Sequence, residues 1–132
     1  MQDILVAAIA LIRDRRVLMV TARGRDVIYM PGGKIDAGES AAEAAAREAF
    51  EEVSLVLDPA ELTELFTVAT QAHGEPEGRL VRMTVFETRS NDAPSPSAEV
   101  SELHWAGTED LDRCPPAGRE VVERLVALNL ID

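Results

Sequence analysis

The sequence predicts a mixed α+β or α/β sandwich in which strands outnumber helices. Apolar runs, such as residues 4–12 and 17–22, are typical of strands, and a polar tetrad separates these two. Ser40 and Glu43 form a capping box that opens an alanine-rich helical repeat. A second helical repeat follows Pro115-Pro116. This mixed order of strands and helices predicts a layered fold with both element types.

The first half of the chain is predicted to be mostly strand. The segments before the first helix are, in order, a strand, a polar turn, a strand, a loop and a short strand: residues 4–12, 13–16, 17–22, 23–26 and 27–30. Pro31-Gly32-Gly33 ends the last of these strands. The apolar residues that recur at helical spacing after Ser40 are Ala42, Ala45, Ala46, Ala49, Phe50 and Val53.

The second half is predicted to continue the sheet and to end in a helix. Its segments are a strand, a turn, two longer strands, a loop, a strand and a helix: residues 55–57, 58–59, 63–72, 80–88, 90–97, 100–106 and 118–128. The inward-facing residues of that helix are expected to be Val121, Val122, Leu125 and Val126. The Ser- and Pro-rich loop is too short for a domain linker. We therefore expect one domain over residues 1–132.

Composition points to an ordinary globular protein with a strong acidic excess. The 132 residues include 24 acidic and 13 basic side chains, for a net charge of −11. The content of 46% hydrophobic and 28% charged residues argues against a disordered chain. The single cysteine, Cys114, excludes an internal disulfide and a cysteine-only metal site, and we expect a cytoplasmic location.

Charge and hydropathy argue against two classes of partner. Phosphate backbones attract basic surfaces, so an acidic chain is not expected to bind nucleic acid non-specifically. The apolar run at residues 4–12 is nine residues long, too short to span a bilayer, and no basic segment precedes it as in a signal peptide. We predict neither a nucleic-acid partner nor a membrane partner.

The first helix carries a cluster of acids. Glu48 and Glu52 lie one turn apart on one face, and Glu51 flanks that face. Clustered carboxylates are hard oxygen ligands that suit Mg²⁺ or Mn²⁺. Arg47 can reach Glu43 or Glu51 at four-residue spacing. The turn before the helix, Pro31-Gly32-Gly33, could add a backbone carbonyl to the oxygen shell. A solvated acidic helix face would explain the charges alone equally well.

The spacing of the whole segment favours the metal interpretation. Gly33 is followed after five residues by Glu39, after seven more by Arg47-Glu48, and after two more by Glu51-Glu52. This order resembles the Nudix box, G-x5-E-x7-R-E-U-x-E-E-x-G-U, where U is a bulky aliphatic residue. Two positions depart from it. Ala49 replaces a larger aliphatic residue and should let the helix pack closer, and Ser54 replaces the final glycine, which relieves a left-handed helix end.

The resemblance implies a Nudix α/β/α sandwich, with a mixed sheet between the box helix and a C-terminal helix. It also implies a hydrolase that attacks a phosphoanhydride bond of a nucleoside diphosphate derivative with water and Mg²⁺ or Mn²⁺. By the match to the motif, Glu48 and Glu52 are expected to bind the ion with Glu51 and the Gly32 carbonyl.

Two further roles follow from the same resemblance. Glu39 and Arg47 are expected to orient the metal ligands. The general base is expected either in the box or in a later loop, where Glu99 is the candidate and Glu102 stands behind it. An exposed loop acid is the other interpretation of Glu99, and the two remain open.

The candidates for substrate binding are less specific. They are the cations Arg23, Arg25, Lys34 and Arg82, which could bind phosphate, and Tyr29, which could stack on a base. Surface or core positions would also explain them, and Lys34 could instead pair with Asp36 or Glu39. His73, His104 and Trp105 are expected to pack or to lie at the surface rather than to bind metal.

Two alternatives and several details stay open. A Nudix-like sensor would bind a nucleotide without cutting it, although such modules often lose the acids that are intact here. A plain acidic interaction module would require the spacing to be coincidental. A small-molecule nucleotide is the expected partner, but its identity, the number of metal ions and the oligomeric state, a homodimer included, are not determined by the sequence.

Overall fold

The computed structural model describes residues 2–72 and 74–132 as one mixed sheet with a helix on each face. His73 lies outside the described residues, so its expected role stays a prediction. The elements in chain order are β1 (Ile4–Arg13), β2 (Arg16–Ala22), β3 (Gly32–Lys34), α1 (Ala41–Val53), β4 (Thr63–Gln71), β5 (Leu80–Thr88), β6 (Val100–Ala106) and α2 (Pro116–Ala127), with short 3₁₀ helices at Pro59–Glu61 and Thr108–Arg113.

The strand order is β4-β5-β1-β2-β6, and β3 pairs with β1 outside this row. The β1–β5 pair is parallel, and the other pairs are antiparallel. The first half of β1 pairs with β3 from Val6 to Ala8, and its end pairs with β2 at Ile12 and Arg13. The mixed sheet and the predicted hairpin are thus confirmed.

The central strand β1 is covered on both faces, which explains its continuous apolar run. Ala8 and Ala10 belong to the core under α2. Ala7, Ile9 and Leu11 belong to the core under α1. Because successive side chains point to opposite faces, one strand supplies both cores.

Helix α1 begins as its sequence predicts. Ser40 Oγ accepts from the Glu43 N–H, and Glu43 Oε1 accepts from the Ser40 N–H, so the capping box is complete. Ala49 and Val53 are fully buried against the sheet. Phe50 is 58% exposed, so its expected place on the buried stripe was wrong. Its position one residue after Ala49 turns it away from the sheet.

Several element assignments need correction. Residues 27–30 form no strand but one bridge between Tyr29 and Val20, and the strand here is Gly32–Lys34 instead. Residues 55–57 are irregular, since the segment pairs with no strand of the described chain. Within it, Leu55 is buried and Val56 is 77% exposed. Helix α2 begins at Pro116 rather than residue 118, and its Val126 is only partly buried.

Two single residues settle as expected. His104 Nε2 lies 2.7 Å from the hydroxyl of Thr21, half-buried on β6. Trp105 is partly exposed on the same edge strand, with the Arg13 guanidinium 5.8 Å from its ring centre. Within residues 2–72 and 74–132, neither helix is long and apolar enough to cross a membrane.

Candidate active site

The glycine pair in β3 brings backbone and carboxylate into contact. A β-carbon on Gly32 would collide with the Ala7 carbonyl of β1. A β-carbon on Gly33 would lie 2.5 Å from Glu48 Oε1. Gly32 therefore needs glycine for its close approach to the backbone of β1, whereas a β-carbon at Gly33 would displace the Glu48 carboxylate.

Arg47 gathers the acids around this strand. Its Nε and Nη2 donate to both oxygens of Glu39, at 2.7 and 2.9 Å. Its Nη1 donates to Glu48 at 2.9 Å and to Glu51 at 3.4 Å. Nη2 also reaches the Lys34 carbonyl at 3.1 Å. The fork geometry of a guanidinium fits such multiple acceptors.

The contact with Arg47 changes the pKa of Glu39. The Arg47 hydrogen bond, and then the Asp36 N–H, lower the pKa of Glu39 to about 2. Glu39 in turn raises the pKa of Arg47 above its usual range, with a smaller contribution from Glu48. Glu39 and Arg47 are thus a permanently charged pair that holds the loop before α1 against the helix.

Glu52 experiences the opposite environment. Its Oε1 accepts a 2.8 Å hydrogen bond from the Gly32 N–H. Burial, and then the charges of Glu48 and Glu51, nevertheless raise the pKa of Glu52 to about 7, although the Gly32 hydrogen bond opposes the shift. A positive charge placed near this carboxyl group would stabilise its ionised form.

The acids fit a hard divalent ion by their chemistry, since Glu48, Glu51 and Glu52 offer carboxylate oxygens beside the backbone of Gly32. In the described part of the chain, no three His, Cys, Asp or Glu side chains converge on one point as a preformed metal cluster. The reason is visible in the contacts: Arg47 holds Glu48, the Gly32 N–H holds Glu52, and Glu51 is exposed.

Glu99 is carried by a turn that docks on the end of α1. The Ser97 N–H donates to the Glu52 carbonyl at 2.9 Å. Two residues later, the Glu99 carbonyl accepts from the Arg23 N–H, also at 2.9 Å. The chain therefore ties the predicted base to the helix that carries the predicted metal ligands, and the side chain of Glu99 is exposed.

A cleft of about 400 Å³ lies on the α2 side of the sheet. Three of the predicted substrate residues, Arg25, Tyr29 and Lys34, line it. Its apolar walls come from β1, β5 and the start of α2: Ile4, Val81, Met83, Pro116 and Ala117. A flat ring system would fit between such walls, with the cations at its rim.

Arg23 and Arg82 do not line this cleft. The Arg82 guanidinium forms an ion pair with Asp3 at 2.5 Å. Arg47, rather than Lys34, contacts both Asp36 and Glu39. Glu43 is not a partner of Arg47 either, because the capping box holds it, whereas the predicted Glu51 contact is present.

Comparison with known proteins adds independent evidence. The family model described as the NUDIX domain matches residues 3–125. The chain belongs to the Nudix family. The assignment made from the box residues is confirmed, and with it the expectation of a hydrolase acting on acid anhydrides. No curated protein matches the sequence.

Solved structures show the Nudix fold at low sequence identity. The solution structure of the Escherichia coli ORF135 protein is 23% identical, with a TM-score of 0.78 over 98% of this chain and 92% of that one. The E. coli dihydroneopterin triphosphate pyrophosphohydrolase is 19% identical, with a TM-score of 0.72 over 94% and 95%. A bifunctional NMN adenylyltransferase/ADP ribose pyrophosphatase from Francisella tularensis, complexed with AMP and a Mn ion, is 18% identical, with a TM-score of 0.70 over 96% and 42%.

Sequence reasoning missed the walls of the cleft in this Nudix chain. Val81 and Met83 are ordinary strand residues, and Ile4 stands at the start of an apolar run, so none carries a polar signal. Pro115-Pro116 was a usable signal, because a proline pair that opens a helix also fixes where the helix begins. The cleft itself is formed by segments more than 100 residues apart in the chain.

Proposed function

We propose that this Nudix chain is a Mg²⁺- or Mn²⁺-dependent pyrophosphohydrolase. Its substrate would be a nucleoside diphosphate derivative, such as a nucleoside triphosphate, in which water cleaves a phosphoanhydride bond. One observation carries the proposal: Arg47 brings one positive charge to four carboxylates within 3.4 Å, those of Asp36, Glu39, Glu48 and Glu51. The negative excess requires a cation before an anionic substrate can approach.

The proposed metal ligands are Glu48 and Glu52, with Glu51 and the Gly32 carbonyl as further oxygens. A divalent ion, when bound, supplies positive charge to the phosphate oxygens and acidifies water. Glu39 and Arg47 would keep Glu48 in place, because their doubly hydrogen-bonded pair fixes the guanidinium that holds it.

Glu99 is the proposed general base, and a box glutamate is the other candidate. Its turn is tied to Glu52 through Ser97 and to the end of β2 through Arg23. An exposed carboxylate on a turn that is hydrogen-bonded to the end of α1 can accept a proton from water. Arg23 beside it is a candidate for contact with phosphate.

The cleft is the proposed site for the nucleoside part of the substrate. Tyr29 would contact the ring, and Arg25 and Lys34 would face the phosphates at the rim. Arg82 stays a prediction, and its ion pair with Asp3 would have to open before it could bind phosphate. The Francisella relative bound to AMP and the pyrophosphohydrolase of dihydroneopterin triphosphate support a small phosphorylated substrate.

We further propose that residues 1–132 act as a single domain in the cytoplasm, with a small molecule rather than nucleic acid as the partner. The net charge of −11 and the single cysteine support this. Size-exclusion chromatography with light scattering would decide between a monomer and a homodimer.

A substrate panel with and without metal tests the activity. The purified chain is incubated with ATP, GTP, dCTP, ADP-ribose, a dinucleoside tetraphosphate and a nucleotide sugar in MgCl₂ or MnCl₂, and released monophosphate and pyrophosphate are measured. We expect hydrolysis of at least one compound and its loss in excess EDTA. Turnover that persists unchanged in EDTA would contradict the metal mechanism.

Glu99→Gln tests the base. The substitution keeps the size and removes the proton acceptor, so we expect kcat to fall by roughly 10²–10⁴-fold with an unchanged circular dichroism spectrum. Glu102→Gln, in the same segment, is the matched control. We expect it to change kcat by less than about threefold, because Glu102 is not the proposed base. A change below threefold in Glu99→Gln itself would return the base to the box.

A further inference from the structure

Two carbonyls at the C-terminal end of α1 receive hydrogen bonds from a distant loop. The Ser95 N–H donates to the Val53 carbonyl and the Ser97 N–H to the Glu52 carbonyl, each at 2.9 Å. Carbonyls in the last turn of a helix lack partners within the helix, so an outside donor satisfies them. The loop before β6 is thereby docked on the helix that bears the box acids.

Ser54, the residue after the helix, adds a third hydrogen bond. Its backbone is left-handed, with φ of 62°, a conformation that favours glycine. Its hydroxyl donates to the Ser95 carbonyl at 3.2 Å. Ser95 is therefore held on both sides, by the Val53 carbonyl that accepts from it and by the Ser54 hydroxyl that donates to it.

The docked loop continues directly into the turn that carries Glu99. The Val100 N–H donates to the Ser97 carbonyl at 3.0 Å and closes the turn. Ala98 in this turn has φ of 53°, so a second non-glycine residue is left-handed here. Strained residues persist only where the surroundings hold them. The surroundings on this side are the hydrogen bonds to the end of α1.

We propose that Ser54 is a positioning residue for Glu99. Its hydroxyl holds the loop that leads into the turn of Glu99, next to the end of α1, and this contact offers a reason for a serine at a left-handed position where glycine would be relaxed. The inference rests on the proposed function, in which Glu99 is the base.

Three substitutions separate the hydroxyl from the backbone. Ser54→Gly removes the hydroxyl and relieves the left-handed strain, whereas Ser54→Ala removes the hydroxyl and keeps the strain. Ser54→Asn tolerates the left-handed conformation and restores a side-chain donor. If the hydroxyl positions Glu99, kcat should depend on whether position 54 carries a side-chain donor. The melting temperature should depend instead on the backbone strain at that position.

We expect kcat on the best substrate of the panel to fall by about 3- to 10-fold in both Ser54→Gly and Ser54→Ala, with KM unchanged, the size expected for one lost hydrogen bond. The melting temperature of Ser54→Gly should equal or exceed that of the parent, and that of Ser54→Ala should lie below it. Ser54→Asn should recover most of kcat. In a Glu99→Gln background, Ser54→Gly should have no further effect on kcat.

Amide hydrogen exchange gives a second readout that needs no substrate. The Ser95 and Ser97 amides should exchange about 3- to 10-fold faster in the Gly and Ala variants. Asn129→Gly is the matched control, because Asn129 is also left-handed after a helix, with φ of 60°, and its side chain also bonds a distant residue, Arg15. It should change neither kcat nor the exchange of these two amides.

The outcomes distinguish the inference from the function on which it rests. The positioning role is overturned, even if the enzyme is active, when both the Gly and Ala variants keep the amide exchange rates of the parent. It is also overturned when both keep the kcat of the parent. Loss of activity in Ser54→Gly that persists in Ser54→Asn also overturns it. A parent that hydrolyses nothing, with faster exchange in the variants, contradicts the proposed hydrolysis and supports the docking of the loop by Ser54.

Discussion

Arg47 and Arg15 each donate several hydrogen bonds at once, but to different acceptors. Arg47 faces four carboxylates and the Lys34 carbonyl. Arg15 faces one carboxylate, that of Asp132 at 2.7 Å, together with the neutral oxygens of Asn129 and the Ile131 carbonyl. The number of bonds is similar, and the balance of charge is not.

The balance of charge distinguishes a site from a clamp. Around Arg15, one positive and one negative charge cancel. The contacts of Arg15 join the β1–β2 hairpin to the end of the chain. Around Arg47, three negative charges remain after one is neutralised, with Glu52 close by and its pKa raised. Such an excess costs stability unless a cation relieves it, which supports the proposed dependence on a divalent ion.

The sharpest test of this contrast is to neutralise a box acid. Glu48→Gln and Glu52→Gln keep size and remove one charge, so each should lower kcat by at least about 10²-fold, because a charge-stabilising group is lost. The stability of the metal-free protein, measured by urea denaturation in EDTA, should be equal or higher, because repulsion within the cluster falls.

Two outcomes would break the interpretation of these variants. Full activity in both would make the box dispensable and would favour a Nudix-like sensor that binds without cutting. Unfolding of both would show that the acids are structural, Glu48 as a partner of Arg47 and Glu52 as a partner of the Gly32 N–H. A matched neutralisation of a solvent-exposed acid on α2, Glu123→Gln, should change neither quantity.

The second test removes the arginine. Arg47→Ala should lower kcat by about 10- to 100-fold, the usual effect of losing a group that orients metal ligands. Arg47→Lys should lie between this variant and the parent, because lysine keeps the charge and loses the fork on Glu39. Steady-state kinetics at saturating Mg²⁺ checks both. Equal kcat for all three proteins would reduce Arg47 to the kind of clamp that Arg15 represents.

Much of the contrast was visible in the sequence, and the reasons are local. The capping box at Ser40, the alanine stripe and the acid spacing depend on neighbours within a few residues, so pattern alone predicts them. The i,i+4 contact between Arg47 and Glu51 follows for the same reason. The grip of Arg47 on Asp36 and Glu39 depends instead on how the preceding loop folds back.

The missed features depend on partners far away in the chain. Gly32 and Gly33 have little intrinsic preference for strand, and their pairing is imposed by β1. Residues 55–57 look like a strand but find no neighbour in the described sheet, so the apolar pattern reflects burial of Leu55 and partial burial of Leu57. Phe50 shows the converse, because its apolar character fits the helical spacing while its direction is away from the sheet.

The third test uses pH on the metal-free protein. The folded-state pKa of Glu52 is about 7, above its ordinary value of 4.5, so the folded state binds more protons between these values. Its stability should therefore fall as pH rises from about 4.5 to 7, by at most about 3 kcal/mol. Glu39, with a pKa of about 2, acts only below this window and with the opposite sign.

Urea denaturation in EDTA at pH 5 and pH 7.5 measures this loss. Glu52→Gln should remove most of it, because the glutamine amide does not titrate. Arg15→Ala should retain it in full, because Arg15 contacts Asp132 and not Glu52. An equal loss in Glu52→Gln and in the parent would assign the titration to another group.

The smallest expected effect belongs to the Arg15 clamp. Arg15 has φ of 61° and Asp14 before it has φ of 51°, so both centre residues of the hairpin turn are left-handed, as the twist of a two-residue hairpin requires. The Arg15 side chain is 46% exposed, so its ion pair with Asp132 is solvent-screened and adds little to stability.

Arg15→Ala should lower stability by about 1 kcal/mol or less. Arg15→Gly should recover part of this, because glycine adopts the left-handed conformation freely. Neither variant should change kcat by more than about twofold, since Arg15 contacts only residues at the end of the chain and none of the box acids. A tenfold loss of kcat in Arg15→Ala would show that the two clamps are coupled, and the contrast based on charge balance would then fail.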